Sequence, residues 1–255
     1  MFRICFIIYL LIHILGDYYF QGEKLAKEKR HSIKKVLRHD LIYLLVALVL
    51  CLPVFTWDML ISVIALSVLH AVIDLAKYLI MKKYDARGIT DRERSTSYLI
   101  DQGLHLLCIF GIAIGMALLQ AEVYLPSRLR LLMENIGFDI YGILVWSVLL
   151  LLIFKPANIT IKLLLYAYRP VENDETQEGH KNAGAFIGSL ERLIILIFLS
   201  LGQFSAIGLV LTAKSIARYN RIAEDKKFAE YYLLGTLLST VFVIGGFLMI
   251  TRLGY

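Results

Sequence analysis

The chain has 255 residues, of which 58% are hydrophobic and 4 are proline, and its mean hydropathy is +0.68. That composition excludes an ordinary soluble domain and points to a membrane protein. The formal net charge of +6 does not call for nucleic acid, because the basic residues fall in loops between apolar stretches, where membrane topology accounts for them.

In chain order the apolar stretches run from Phe2 to Leu15, Leu41 to Trp57, Met59 to Met81, Tyr98 to Leu119, Ile140 to Phe154, Leu193 to Ala213 and Phe228 to Ile250. Crossing about 30 Å of hydrocarbon takes about 20 helical residues, and most of these stretches suffice. They predict an all-α, polytopic transmembrane bundle of about seven helices. Runs of this length without period-two alternation argue against a β-barrel. The first stretch follows Arg3 and has the look of a secretory signal. It lacks a small-residue cleavage pattern, however, and runs on into His13, Gly16 and Asp17, so it reads as a mature helix.

Four segments are expected: a four-helix His/Asp-containing membrane domain at 1–120, a connecting segment with the fifth helix at 121–169, a polar cytoplasmic loop at 170–187, and C-terminal membrane helices at 188–255. Arg169 and Pro170 close the fifth helix, and the loop VENDETQEGHKNAGA places His180 in solvent. The stretch from Leu193 to Ala213 is read as one spanning helix with Gln203 fastening it to a neighbour. The alternative is a turn back within the membrane around Gly202, Gln203 and Gly208, which the charge rule favours. Residues Ala213 to Lys227 read as a basic amphipathic helix at the membrane surface.

Basic residues in short loops favour the cytoplasm. Lys24, Lys27, Lys29, Arg30, Lys34, Lys35 and Arg38 follow the first helix, whereas the turn from Pro53 to Asp58 has none. The N-terminus is therefore expected outside, in a bacterial inner membrane, and the loop with Lys82, Lys83, Arg87, Arg92 and Arg94 agrees.

Within this frame, one polar pattern occurs three times: His13 with Asp17, His70 with Asp74, and Asp101 with His105. Residues four apart share a helix face, so each pair projects an imidazole and a carboxylate together. The predicted topology brings all three pairs to the cytoplasmic side, and His39 with Asp40 joins them. One such pair is explained by a hydrogen bond that pins two helices. Three pairs at one depth favour a functional site, since an ionisable group at the bilayer centre costs roughly 2.5 to 3.5 kcal/mol.

Imidazole with carboxylate suits zinc, manganese, iron or magnesium. The candidate ligands are His13, Asp17, His70, Asp74 and His105, with Asp101 and Asp40 as candidate general bases. Gln21, His39, Lys77, Gln102 and Glu191 are placed to orient a substrate or to hold a ligand by a hydrogen bond. Arg192 is a candidate for meeting phosphate, but it and Glu191 read more readily as ordinary interfacial anchors. Cys5, Cys51 and Cys108 lie in separate apolar stretches without CxxC spacing and read as core residues.

The segments HILGDYYFQ, HAVIDLAK and DQGLH resemble a family of prokaryotic integral membrane proteins defined by a domain of unknown function. The likeness to that domain extends to about Gln120, and the run GSLERLIILIFLSLGQFSAIGLVLTAKSIARY resembles the second half of its longer members. A weaker similarity, to membrane-embedded metal-dependent hydrolases of bacteria, implies metal chemistry by analogy. The leading expectation is a metal-dependent hydrolase of a lipid-linked or phosphoester substrate at the cytoplasmic interface, with membrane lipid as its other partner. The alternatives are a metal-ion or proton transporter or channel, and a non-catalytic scaffold. Few polar residues lie on the outward halves of the first, third and fourth helices, which favours a closed pocket over a channel.

Overall fold

The apolar runs wind into helices, as a chain must where lipid offers its backbone no hydrogen-bond partner. The computed structural model describes residues 1–85, 88, 90–124, 126–137, 139–169 and 183–252; Arg87 and most of the polar segment 170–187, with Pro170 and His180, lie outside the described residues. The helices are α1 (Phe2–Ile14), α2 (Glu23–Glu28), α3 (Ile33–Cys51), α4 (Trp57–Asp85), α5 (Asp91–Leu118), α6 (Ser127–Asn135), α7 (Ile140–Leu164), α8 (Ala183–Ser200), α9 (Phe204–Ile216), α10 (Tyr219–Glu224) and α11 (Lys226–Arg252). Among the described residues there is no strand, and six helical segments are long and apolar enough to cross a membrane: α1 with a π-helical extension to Tyr19, α3, α4, α5, α7 and α11.

Two compact units divide within α7, the first covering Met1–Val148 and the second beginning at Leu149. In the first, α1 is the central helix. Ten consecutive residues, Cys5–Ile14, are buried, so apolar side chains all round it have protein on every side. α3 packs on α1 and α4, and α5 packs on both α1 and α4. The outward faces are apolar as well: Leu37, Leu41, Leu45 and Val49 are exposed along α3, as are Ile100, Leu104 and Leu107 along α5. A bundle whose outside is leucine and whose inside holds His39, His70, Asp74 and Asp101 is arranged for lipid. α3 begins at Ile33, well before the expected Leu41, so His39 and Asp40 sit inside the helix instead of opening it.

The second unit corrects three expectations. The stretch from Leu193 to Ala213 is a helical hairpin, not one spanning helix. Gly202 has φ +68°, and the N–H groups of Gly202 and Gln203 return to the carbonyls of Leu199 and Phe198. This is the Schellman stop, which glycine permits. α9 then runs back so that Lys214 meets Glu191 at 2.6 Å, and Gln203 is exposed between the two helices. The basic segment 213–227 is likewise no single helix, since α9, α10 and α11 break it at Ala217–Arg218 and at Asp225. Arg192, finally, is buried and fastens helices. Its guanidinium donates to the Ile153 carbonyl at 2.6 Å, Ser239 Oγ at 3.2 Å, Asn158 Oδ1 at 2.5 Å and Ser189 Oγ at 3.1 Å. With all of these partners inside the unit, the side chain serves α7, α8 and α11.

Arg192→Ala therefore leaves Asn158 and Ser239 short of a donor and opens a cavity. A loss of about 2–4 kcal/mol is expected, read as a lower midpoint in a detergent-denaturation series; an unchanged midpoint would contradict the fastening role.

Candidate metal centre

The centre is assembled by how α1 ends. After His13 the helix widens into a π-turn over Leu15–Tyr19, closed by the Phe20 N–H to the Leu15 carbonyl at 2.8 Å. Such turns occur often at functional sites, and this one carries Asp17 into the bundle. Gly16 is required there: a Cβ would stand 2.5 Å from Cδ2 of Tyr43. The Tyr43 ring in turn stacks on His70 at 3.7 Å, and His70 stacks on His105 at 4.3 Å. Three parallel rings from α3, α4 and α5 thereby fix two of the imidazoles.

Four ligand atoms form a tight cage. His39 Nε2 lies 3.2 Å from Asp17 Oδ1 and 3.4 Å from Asp74 Oδ2. His70 Nε2 lies 3.4 Å from Asp17 Oδ1, 3.9 Å from Asp74 Oδ2 and 3.2 Å from His39 Nε2. A tetrahedral ion with bonds of about 2.0–2.2 Å to imidazole and carboxylate holds its ligand atoms about 3.3–3.6 Å apart. The two imidazole nitrogens stand at about that spacing from each other and from Asp17 Oδ1, and His39 also from Asp74 Oδ2.

A second set adjoins the first. His13, Asp17, His70 and His105 bring ligand atoms within 4.8 Å of one another, and so do Asp74, Asp101 and His105, and His39, Asp40, His70 and Asp74. Lys29 donates to Asp74 Oδ2 at 2.8 Å, and Lys77 to Asp101 Oδ2 at 2.6 Å. Burial works against the charge on Lys29, yet Asp74, Asp17 and Asp101 outweigh it and hold the ammonium above the ordinary lysine range. The Gln102 amide donates to Asp101 at 3.2 Å and more weakly to Asp17 at 3.4 Å, while its Oε1 faces His13 Nε2 at 3.1 Å and accepts from the Tyr18 hydroxyl at 2.8 Å. Tyr18 pairs with Tyr98 at 2.6 Å.

Among the described residues, 13 buried side-chain nitrogen or oxygen atoms lack a hydrogen-bond partner, and 10 of them belong to His13, Asp17, Gln21, His39, Asp40, His70, Asp74, Asp101 and His105. Both nitrogens of His105 are among them. Each such atom costs about 1–3 kcal/mol, and concentration in one place marks donors arranged for something other than each other.

Depth follows from helix length. His39 is 12 residues from the end of α3, His70 is 13 from the start of α4, and His105 is 13 from the end of α5. At about 1.5 Å per residue these are about 18–20 Å from one end of the bundle. In a hydrocarbon layer of about 30 Å the centre falls nearer the other face, toward which α4 carries Lys77, Lys82 and Lys83.

The structure brings His13, Asp17, His70, Asp74 and His105 together with Asp101, Asp40, Gln102 and Lys77 in the first unit. His39 stands beside them, 3.2 Å from Asp17 and 3.4 Å from Asp74. Gln21 is partly buried with its Oε1 unpartnered, and Glu191 belongs to the second unit, where it meets Lys214. Sequence reasoning missed Tyr18, Tyr43 and Tyr98, and used Lys29 only for topology. The signal for Tyr43 was present, since it lies four residues after His39 on the same helix face.

Residues 5–130 match the family described as Protein of unknown function (DUF3307). This part of the chain is similar to that family. The matched segment contains every side chain of the centre, and the hairpin α8–α9 with its Arg192 knot lies beyond it. No curated protein and no solved structure matches the chain.

Gly16→Ala forces Tyr43 off His70. An affinity for zinc about 10- to 100-fold weaker is expected, measured by competition with a chelating dye; an unchanged affinity would contradict the role of the ring stack.

Proposed function

We propose that the protein is a membrane-embedded, metal-dependent hydrolase acting on a lipid-linked phosphoester from the cytoplasmic face of the inner membrane. The observation that carries the reading is the cage of His39, His70, Asp17 and Asp74, with five separations of 3.2–3.9 Å among its ligand atoms. When bound there, a divalent ion supplies a Lewis acid for the phosphoryl oxygen and lowers the pKa of water.

The remaining chemistry belongs to side chains. Asp101 is held at Oδ2 by Lys77 and Gln102, which leaves Oδ1 buried without a partner and available as general base. The water oxygen bonds to phosphorus as the P–O bond to the leaving group breaks. A water proton passes to Asp101 Oδ1 and is returned to the leaving oxygen. Lys29 and Lys77 supply positive charge for the remaining anionic oxygens.

A lipid is favoured by the way into the centre. A groove of about 550 Å³ runs between α4 and α5, with Val72, Ile80, Ile100 and Leu104 on its walls and Lys77 and Asp101 also lining it. It takes an alkyl chain along its apolar walls and brings the head of the same molecule to Asp101. A conduit across the membrane has less support: toward the other end of α1 the buried residues are Cys5, Phe6, Ile7, Ile8, Leu10 and Leu11, with the Tyr9–Ser62 hydrogen bond at 2.6 Å. The basic loops flanking α2 and α4 support a cytoplasmic position for the lysine-rich end.

Elemental mass spectrometry of detergent-purified protein is expected to find bound zinc, manganese or iron that His70→Ala loses. Asp101→Asn is expected to keep the metal and to lose about 10²–10⁴-fold of phosphoester hydrolysis. A wild-type chain that holds no metal after incubation with each of these ions would overturn the reading.

A further inference from the structure

We infer that the centre holds two divalent ions, bridged by the carboxylate of Asp17. The inference rests on the metal reading above and goes beyond it in stoichiometry and in the substrate chemistry it favours.

An ion in the cage uses Oδ1 of Asp17, the atom that faces His39 and His70. The other oxygen, Oδ2, lies 3.8 Å from His13 Nδ1 and 3.4 Å from the Gln102 amide, and Asp17 is a member of the set in which His13, His70 and His105 converge within 4.8 Å. A carboxylate with one oxygen turned to each set has the form of a bridge.

One ion does not satisfy the donors present. With the cage filled, His105 still has both nitrogens unpartnered and Asp101 still has Oδ1, at exposures of 3% and 5%. A second ion held by His13, His105 and Asp17 would take one of the two His105 nitrogens and leave Asp101 Oδ1 free as the general base. The ring geometry agrees. His70 and His105 are stacked at 4.3 Å with 24° between their planes, so their edges point to neighbouring positions about as far apart as the 3.5–4 Å of a two-metal site.

Charge bears on the substrate. Asp17, Asp40, Asp74 and Asp101 set against Lys29 and Lys77 leave two net negative charges with the imidazoles neutral. One divalent ion cancels these, and a second makes the centre cationic. A cationic centre with paired ions suits a phosphoester, because both the attacking and the leaving oxygen of an in-line displacement then have a cation beside them.

The full chain in detergent, stripped with a chelator and reloaded with Mn(II) or Zn(II) alone, is desalted and analysed for metal per chain; the manganese form is also examined by electron paramagnetic resonance. Two ions per chain are expected, with an exchange-coupled manganese signal in place of the isolated-ion signal. His105→Gln is expected to retain one ion and to lose the coupling. One ion per chain with an isolated-ion signal, unaltered by His105→Gln, would overturn the two-ion inference and leave the single-ion reading in place. No bound ion in the wild type would overturn both.

Discussion

Burying carboxylates inside a lipid-facing bundle is the constraint on which the rest of this structure depends. Asp74 and Asp101 are 3% and 5% exposed, and an ionised carboxylate so placed is tolerated only with cations or well-directed donors around it. Two lysines supply part of that compensation. Lys29 reaches Asp74 from beyond the end of α2, and Lys77 reaches Asp101 from α4. Among the described residues no lysine lies within ion-pair distance of Asp17, which faces His39 and His70. The cation proposed for the centre would correct that imbalance.

Order in the centre comes from apolar packing and backbone geometry as much as from charge. The π-turn after His13 and the missing side chain at Gly16 allow Tyr43 to lie against His70. The stack leaves the two rings little freedom to turn, so the imidazole edges are set before any ligand arrives. α1, buried along Cys5–Ile14, anchors this arrangement from inside. The second unit uses a different solution to the same problem of polarity in lipid. Arg192 satisfies its guanidinium with a backbone carbonyl and three neutral side chains, which closes the group on itself and leaves nothing directed outward.

Much of the first unit was legible because helical spacing in an apolar context carries direction. His70 and Asp74 had to share a face, and the lysine-rich loops had to share a side. What the spacing could not carry was pairing between helices. The contacts of His39 were not legible, because its neighbour Asp40 lies about 100° around the helix, whereas Asp17 and Asp74, which it meets, come from the π-turn after α1 and from α4. Tyr18 and Tyr98, two among 15 tyrosines, give no sign in the sequence that they meet. The α8–α9 hairpin was legible as the alternative that the charge rule favoured, but the length of the apolar run argued for a span, and one glycine decided the turn. Once the chain turns, Glu191 and Lys214 meet, although 23 residues separate them.

The most direct test of the account is X-ray absorption at the metal edge of the purified, zinc-loaded protein. A first shell of nitrogen and oxygen alone at about 2.0–2.2 Å, with outer-shell scattering from imidazole rings, is the predicted result. A sulfur shell at about 2.3 Å, which would place the metal on Cys5, Cys51 or Cys108 instead, would contradict the His/Asp centre.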